Sequence, residues 1–221
     1  MDQRTAQILE AAIEEFIDIG EPVSSSRLYE RHRFGIKPAM IRLELERLSD
    51  EGFLEQPHHS AGRVPTDKGY EFFAERVLTD DRGMSGGKIL RQMLMRHELP
   101  DLAGELASEL GLLSIAAEPE KKSFYKEGLE ALVEQMDPAD IKSVIGDFVE
   151  IENRLESVSK KLRKADIVPK VFVGKKSPIT KSESLSVVMG SYESGEDRVL
   201  LFAIGPKRMD YRKTVGVFKN L

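Results

Sequence analysis

Residues 52–70 read Gly-Phe-Leu-Glu-Gln-Pro-His-His-Ser-Ala-Gly-Arg-Val-Pro-Thr-Asp-Lys-Gly-Tyr, and they contain the clearest structural signals in the first third of the chain. Phe53–Gln56 and Arg63–Pro65 are short runs with strand character, and the loop Pro57–Gly62 between them is rich in turn-forming residues. This pattern predicts a small β-hairpin. Thr66 can accept a hydrogen bond from a free helical amide, so we expect a helix to begin directly after the hairpin.

Three helical patterns precede the hairpin. Residues 2–20 place apolar side chains at a helical period, and a short second helix is expected after the serines at 24–26. Pro38 suits the first position of a third helix, because proline gives up an amide hydrogen that would be unpaired there, and Gly52 suits its end. The third helix is expected to bury one face, which consists of Ile41, Leu45 and Leu48.

The order of three short helices and a hairpin is that of a winged helix-turn-helix domain. In such domains the third helix enters the major groove of DNA, and the hairpin touches an adjoining groove or the backbone. We therefore predict a winged-helix DNA-binding domain over 1–78. Residues 79–87 combine aspartates and glycines without apolar periodicity, which indicates a linker.

Composition excludes several classes of protein. The chain has 221 residues and no cysteine, so disulfides, thiolate zinc sites, iron–sulfur clusters and cysteine nucleophiles are absent. No apolar run is long enough for a membrane helix and the N-terminus does not resemble a secretion signal, so we expect a cytoplasmic protein with no membrane partner. No P-loop, Gly-x-Ser-x-Gly or His-Glu-x-x-His motif occurs, and we do not expect an enzyme or a cofactor.

The charge distribution favours local rather than bulk attraction to nucleic acid. The formal net charge is -5, yet residues 27–42 carry five basic side chains and one acidic side chain. A solvated helix surface is the plain alternative. The predicted DNA-contacting residues are Ser24, Ser25, Arg27, Lys37, Ala39, Met40, Arg42, Leu43, Arg47, His58, His59, Ser60, Gly62 and Arg63.

Several of these residues have more than one reading. Arg42 is the first choice for base contact, although it could pair with Glu46 one turn later. Leu43 could meet a thymine methyl group or be an ordinary surface leucine. His58 and His59 lack nearby carboxylate or cysteine partners, so contact with DNA, or a solvated loop, is favoured over a metal site. Gly62 would let a backbone approach closely.

Residues 88–221 are predicted as a mixed domain of helices and strands, which makes the chain α+β. The expected helices are two over 88–118 broken at Pro100, one over 124–136, a long one over 138–164 and a last one over 209–218. The expected strands are 171–173, 185–192 and 199–204, and the last two are joined as a hairpin.

Two separate parts of the chain resemble the HrcA family of bacterial heat-inducible transcription repressors. The N-terminal resemblance lies in Gly20–Ser25, Ala39–Arg42 and Gly52–Tyr70. The second lies in Phe124–Leu129, Ser186–Val188 and Ile204–Tyr211, which ends in the family's Gly-Pro-x-Arg-Met-Asp-Tyr signature.

The resemblance implies a winged helix-turn-helix domain followed by a reduced GAF-like domain. It further implies a homodimer that binds an inverted-repeat operator in double-stranded DNA, represses chaperone genes, and depends on the chaperonin GroEL. An alternative is a winged-helix regulator of other genes that responds to a small ligand through the GAF-like domain. Lys37-Pro38, Met40 and Leu43 depart from the family pattern, so the operator sequence is expected to differ.

The resemblance also implies a shortened member of the family. Glu118-Pro119-Glu120 is followed almost directly by Phe124-Tyr125, without the first part of the GAF-like domain and the inserted dimerisation domain. One hypothesis places the dimer contact on the 138–164 helix, through Phe148, Leu155 and Val158. The alternative, that this apolar seam belongs to the core of its own domain, has equal weight.

Overall fold

A computed structural model describes residues 1–59, 61–80, 87–159 and 169–221. The chain divides into two compact units, Met1–Arg76 and Val77–Leu221. Of the predicted linker at 79–87, residues 81–86 lie outside the described residues, and so do Ser60 and the 160–164 end of the predicted long helix.

The first unit contains three helices, a short hairpin and most of a fourth helix. Its elements are α1 (Gln3–Ile19), α2 (Ser25–Arg31), α3 (Pro38–Asp50), β1 (Leu54–Glu55), β2 (Val64–Pro65) and α4 (Asp67–Thr79). The two strands pair in antiparallel fashion, with Leu54 opposite Pro65. The predicted order of elements is confirmed.

Apolar side chains from all four helices form the core of the first unit. The predicted inner face of α3 is confirmed, because Ile41, Leu45 and Leu48 are buried. The predicted cap of α4 is also confirmed: Thr66 Oγ1 accepts the amide of Gly69 at 3.2 Å. The core thereby leaves the opposite face of α3 open to solvent.

The second unit is a five-stranded antiparallel sheet with helices. Its elements are α5 (Lys88–Met95), α6 (Leu99–Leu110), β3 (Leu113–Glu118), β4 (Ser123–Glu127), α7 (Leu129–Glu134), α8 (Pro138–Ser159), β5 (Lys170–Val173), β6 (Leu185–Ser194), β7 (Asp197–Pro206) and α9 (Tyr211–Lys219). The strand order is β4-β3-β7-β6-β5, and each neighbouring pair is antiparallel.

Helices cover both faces of this sheet. One face packs alternate strand residues such as Val187 and Phe202 against the buried residues of α7 and α8. On the other face, the hydroxyls of Ser186 and Tyr211 lie 2.8 Å apart, and the Tyr192 hydroxyl donates to the Phe218 carbonyl at 2.7 Å. Both partner residues belong to α9, so α9 lies on the face opposite α8.

Two predicted helices of the second unit are present as α6 and α7, but their predicted bounds were wrong. The predicted break at Pro100 was also wrong, because Pro100 lies in the first turn of α6. Residues 113–118, expected to end a helix, form the buried strand β3, and residues 124–127, expected to begin a helix, lie in strand β4. Gly111 ends α6 in the left-handed region with φ 66°, which stops the helix before Leu113. Gly128, with φ 87°, separates β4 from α7 in the same way.

The hypothesis of a dimer contact through Phe148, Leu155 and Val158 was wrong as well. Leu155 and Val158 are buried within the core of their own unit, and Phe148 packs against that core. The apolar seam of α8 is therefore covered by the sheet of the same chain. In the parts of the chain that the structure describes, no helix is long and apolar enough to span a membrane.

Candidate nucleic-acid interface

The start of α2, one side of α3 and the β1–β2 hairpin line a single open cleft in the first unit. Its volume is about 510 Å³. Six of the predicted DNA-contacting residues line it: Ser24, Ser25, Arg42, His59, Gly62 and Arg63. The fold thus brings together residues that are up to 39 positions apart in the sequence.

The outer face of α3 presents two cations, Arg42 and Arg47, and two large apolar side chains to solvent. The Arg42 side chain is 76% exposed, and its Nε lies 3.4 Å from Glu46 Oε1. Leu43 is 55% exposed and Met40 is 48% exposed, and Ala39 is exposed one turn from Leu43. The pairing of Arg42 with Glu46 that the spacing allowed is present, but the distance is long and both side chains are accessible to water.

Part of the basic segment at 27–42 is neutralised by α1. Glu15 is buried, and its carboxylate lies 3.2 Å from Arg27 Nε, 2.8 Å from Arg31 Nη1 and 3.3 Å from His32 Nε2. Burial opposes ionisation of Glu15, but hydrogen bonds from Arg31 and His32 outweigh it and lower the pKa of this carboxyl. The net positive charge that the sequence places at 27–42 is therefore partly cancelled by Glu15 of α1.

Arg47 and Arg63, two more of the predicted DNA-contacting residues, form contacts within the first unit. Arg47 Nε donates to Glu51 Oε1 at 2.9 Å, and its Nη1 lies 3.9 Å from Asp2 Oδ2. Arg63 Nε donates to Ser49 Oγ at 2.8 Å, which fastens the hairpin to the end of α3. Both guanidinium groups are therefore positioned by contacts within the first unit.

The other predicted polar residues lie at the start of α2, before α3 and in the hairpin loop. Ser24 Oγ accepts the Arg27 amide at 3.2 Å and caps α2, while Lys37 is the exposed residue before α3 and makes no side-chain cap. His58 and His59 are exposed in the hairpin loop. Ser60, the remaining predicted loop contact, is outside the described residues.

Sequence reasoning missed Gln56, which shapes the hairpin loop. Its Nε2 donates to the carbonyls of His59 at 3.0 Å and Ala61 at 2.9 Å, so one amide spans the loop. A glutamine just before a turn gives no periodic signal, and only its position relative to the loop carbonyls identifies this role.

Gly62 is required by contact within the chain. A Cβ atom at this position would lie 2.4 Å from the Val23 carbonyl oxygen. Val23 and Arg63 pair as an isolated β-bridge, with N–O distances of 2.9 and 2.8 Å. Gly62 therefore lies at a close contact within the chain, where the hairpin pairs with the segment before α2.

The chain is similar to HrcA proteins in sequence. A family model described as the HrcA protein C-terminal domain matches residues 83–215. The heat-inducible transcription repressor HrcA of Acidothermus cellulolyticus is 47% identical over 79 residues, which are 36% of this chain and 23% of that protein. The protein of the same name from Nocardioides sp. is 47% identical over 78 residues, 35% of this chain and 23% of the relative.

The crystal structure of a hypothetical protein matches this chain with a TM-score of 0.80 at 20% identity, covering 100% of this chain and 96% of that one. At this identity the likeness shows a shared fold. The curated relatives are matched over less than a quarter of their length, whereas the family model covers more than half of this chain. The chain therefore belongs to the HrcA family.

Proposed function

We propose that this chain is a sequence-specific, DNA-binding transcription repressor of heat-shock genes, and that its first unit is a winged helix-turn-helix domain. The observation that carries the proposal is the solvent-exposed face of α3, where Arg42 stands beside the cleft formed with α2 and the hairpin. In this proposal α3 enters the major groove and the hairpin loop lies along the DNA backbone.

Arg42 is the residue assigned to base recognition. Its exposed pair with Glu46 contributes only ~0.3–0.5 kcal/mol, as is usual for such pairs on a helix. A bidentate contact between an arginine and guanine is worth ~1–3 kcal/mol of discrimination. The contact with guanine is therefore the stronger one, and Arg42 can leave Glu46 when DNA arrives. Leu43 and Met40 lie on the same face and are suited to apolar contact with thymine methyl groups.

The phosphate contacts are assigned to the rim of this surface. Lys37, Ser25 and the loop residues His58 and His59 are accessible there. Arg27 and Arg47 stay among the proposed contacts, but their ion pairs with Glu15 and Glu51 reduce the charge that they offer to DNA.

Family membership supports the rest of the proposal. The matched relatives are named heat-inducible transcription repressors. We assign this chain a homodimer that binds an inverted repeat upstream of chaperone genes, a second unit of GAF-like type, and regulation by the chaperonin GroEL. The role is one of regulated binding rather than catalysis.

The direct test is a fluorescence-anisotropy titration of the full chain with duplexes from upstream regions of its own chaperone operons and with scrambled duplexes, at two salt concentrations. Arg42→Ala is compared with Arg96→Ala, which removes the same charge from an exposed position in the second unit. We expect Arg42→Ala to weaken operator binding by ~1–3 kcal/mol and Arg96→Ala to leave it unchanged. Equal affinity of the unmodified chain for operator and scrambled DNA refutes the proposal.

A second candidate function is a repressor that responds to a small ligand through its second unit. A cavity of about 340 Å³ lined by Arg154, Phe172 and Met189, among others, supports this alternative, because its volume is in the range of ligand pockets. Thermal-shift screening with nucleotides and small metabolites separates the two candidates. A ligand that raises the melting temperature and changes operator affinity favours the second one.

A further inference from the structure

Three side chains with metal-binding chemistry meet in the second unit although they are far apart in the sequence. His97 lies between α5 and α6, Glu118 ends β3, and Asp197 begins β7. One ligand atom from each lies within 4.8 Å of the others. His97 Nε2 is 3.0 Å from Glu118 Oε1 and 4.0 Å from Asp197 Oδ2.

The group is partly buried and its geometry is unusual. The Glu118 side chain is only 6% exposed. His97 has φ 62°, in the left-handed region that residues other than glycine rarely adopt. This conformation places the imidazole against the ends of β3 and β7.

The hydrogen bonds around Ser194 determine which ring nitrogen of neutral His97 carries the proton and which one is free to bind a metal ion. The Ser194 hydroxyl donates its only proton to the Leu94 carbonyl at 2.5 Å. His97 Nδ1 lies 2.9 Å from the same hydroxyl oxygen, so Nδ1 must be the donor in that contact. In neutral His97 the lone pair is therefore on Nε2, which faces Glu118 and Asp197.

In neutral His97 this lone pair faces Glu118 Oε1 at 3.0 Å, and the two are repelled unless a proton or a metal cation lies between them. Among the residues that the structure describes, His97 Nε2 has no hydrogen-bond partner, and Glu118 Oε1 has only the ammonium of Lys121. Both atoms are buried, so water does not compensate for them.

A lysine side chain already places a positive charge beside the two carboxylates. Lys121 Nζ lies 2.8 Å from Glu118 Oε1 and 2.8 Å from Asp197 Oδ2. The ammonium of Lys121 thus bridges the two carboxylates at the position that a metal ion would compete for. Lys121 is half exposed in the turn between β3 and β4, where its side chain can swing into solvent.

We propose that a divalent transition-metal ion of the zinc class binds between His97 Nε2, Glu118 Oε1 and Asp197 Oδ2, with the ammonium of Lys121 displaced into solvent. Imidazole with carboxylates suits zinc, whereas magnesium and calcium prefer sites made of oxygen alone. Ligand atoms of a tetrahedral zinc site are about 3.4 Å apart, given metal–ligand distances of ~2.1 Å. The observed separations of 3.0 and 4.0 Å lie on either side of this value.

The position of these three residues determines how a metal ion can reach them and which elements the ion would join. An open pocket of about 290 Å³ includes Asp197, and the acidic residues Glu120, Glu193 and Glu196 on its wall outnumber the single basic residue there, Arg198, so its net charge attracts cations. A bound metal would join the α5–α6 connection to the ends of β3 and β7. The stability of the second unit would then depend on the metal concentration, whether or not the first unit binds DNA.

The test is calorimetric titration of the full chain with ZnCl₂ and MgCl₂ at pH 7, together with CoCl₂ titration followed by visible absorption. The chain has four histidines, so the matched control is the double variant His58→Ala/His59→Ala. We expect one zinc ion per chain and the strong absorption of tetrahedral cobalt. Both should persist in the double variant.

Variants that remove a proposed ligand and the variant that removes Lys121 should change the affinity for zinc in opposite directions. His97→Gln and Asp197→Asn should each weaken zinc binding by more than the ~10–100-fold that changes around the ligands cost. Lys121→Met should bind zinc more tightly than the unmodified chain, because the competing ammonium is gone. Zinc binding that survives Asp197→Asn and His97→Gln, binding lost in the double variant, equal affinity for magnesium, or no binding by the unmodified chain overturns the proposal.

Discussion

Replacing Glu15 with glutamine should lower the free energy of unfolding of the first unit without lowering its affinity for DNA. Glu15 is the buried acceptor for Arg27, Arg31 and His32, and it joins α1 to α2. Glutamine keeps the shape and one acceptor oxygen, but it replaces the other oxygen with a donor and removes the charge that the three basic side chains share.

The size of the effect follows from burial. Breaking a fully buried ion pair costs ~3–5 kcal/mol, because the remaining charge stays without a partner. Here the Arg27 and Arg31 side chains are 39% and 51% exposed, so water can solvate the released guanidinium groups. Hydrogen bonds to a charged group contribute ~1.5–3 kcal/mol, and we expect a loss of about 2 kcal/mol.

Native-state hydrogen exchange of the full chain measures this loss in α1 and α2 directly. Some amides exchange only when the whole first unit unfolds. For these amides, a loss of about 2 kcal/mol corresponds to roughly 30-fold faster exchange, because 1.36 kcal/mol is a factor of ten. Asp18→Asn is the matched control, since it removes one charge from an exposed position of the same helix. The control should change stability by less than ~0.5 kcal/mol.

The pH dependence provides a second criterion. Because the pKa of Glu15 is lowered in the folded chain, its contribution is complete above the ordinary value of 4.5 and is lost as the pH falls through the lowered value. Glu15→Gln should therefore remove part of the destabilisation below pH 4.5. Exchange rates in Glu15→Gln that equal those of Asp18→Asn would refute this reasoning.

Five further substitutions separate DNA recognition from stability. Leu43→Ser should leave the melting temperature within experimental error and reduce the preference for operators that carry thymine at the contacted position, as measured by anisotropy. Lys37→Gln should lower the slope of log K against log salt by about 1, and Arg27→Gln by less, because Arg27 is already paired. Gly62→Ala should destabilise the first unit by ~1–3 kcal/mol in urea unfolding, since its Cβ meets a backbone oxygen at 2.4 Å. Gly146→Ala, in α8 with nothing within 4 Å, should stabilise the second unit by ~0.5–1 kcal/mol.

The first unit was predictable because each of its elements has local signals. Pro38 begins α3, Gly52 follows its end, and the apolar spacing of Ile41, Leu45 and Leu48 identifies the inner face. The ionic contacts were not predictable, because Glu15 and Arg31 are distant in sequence and only the packing of α1 on α2 brings them together. A count of charges therefore overestimates the positive charge available to DNA.

The second unit was harder to predict because its first strand along the chain, β3, has no alternating pattern. All residues of β3 are buried, including Ser114 and Glu118, and its alanines have low strand propensity. The leucine spacing at Leu102, Leu106 and Leu110 continues to Leu113, so periodicity alone favours a longer helix. The His97 group was invisible for a similar reason: its members meet only after the sheet has formed.

Mapping of amide chemical shifts in the isotope-labelled full chain, on addition of an operator duplex, tests the central claim most directly. The largest changes should fall in residues 39–43 of α3 and in the hairpin loop around His59, with small changes across the sheet of the second unit. Changes concentrated in the second unit, or on the side of α1 that faces away from α3, would show that the exposed face of α3 does not read DNA.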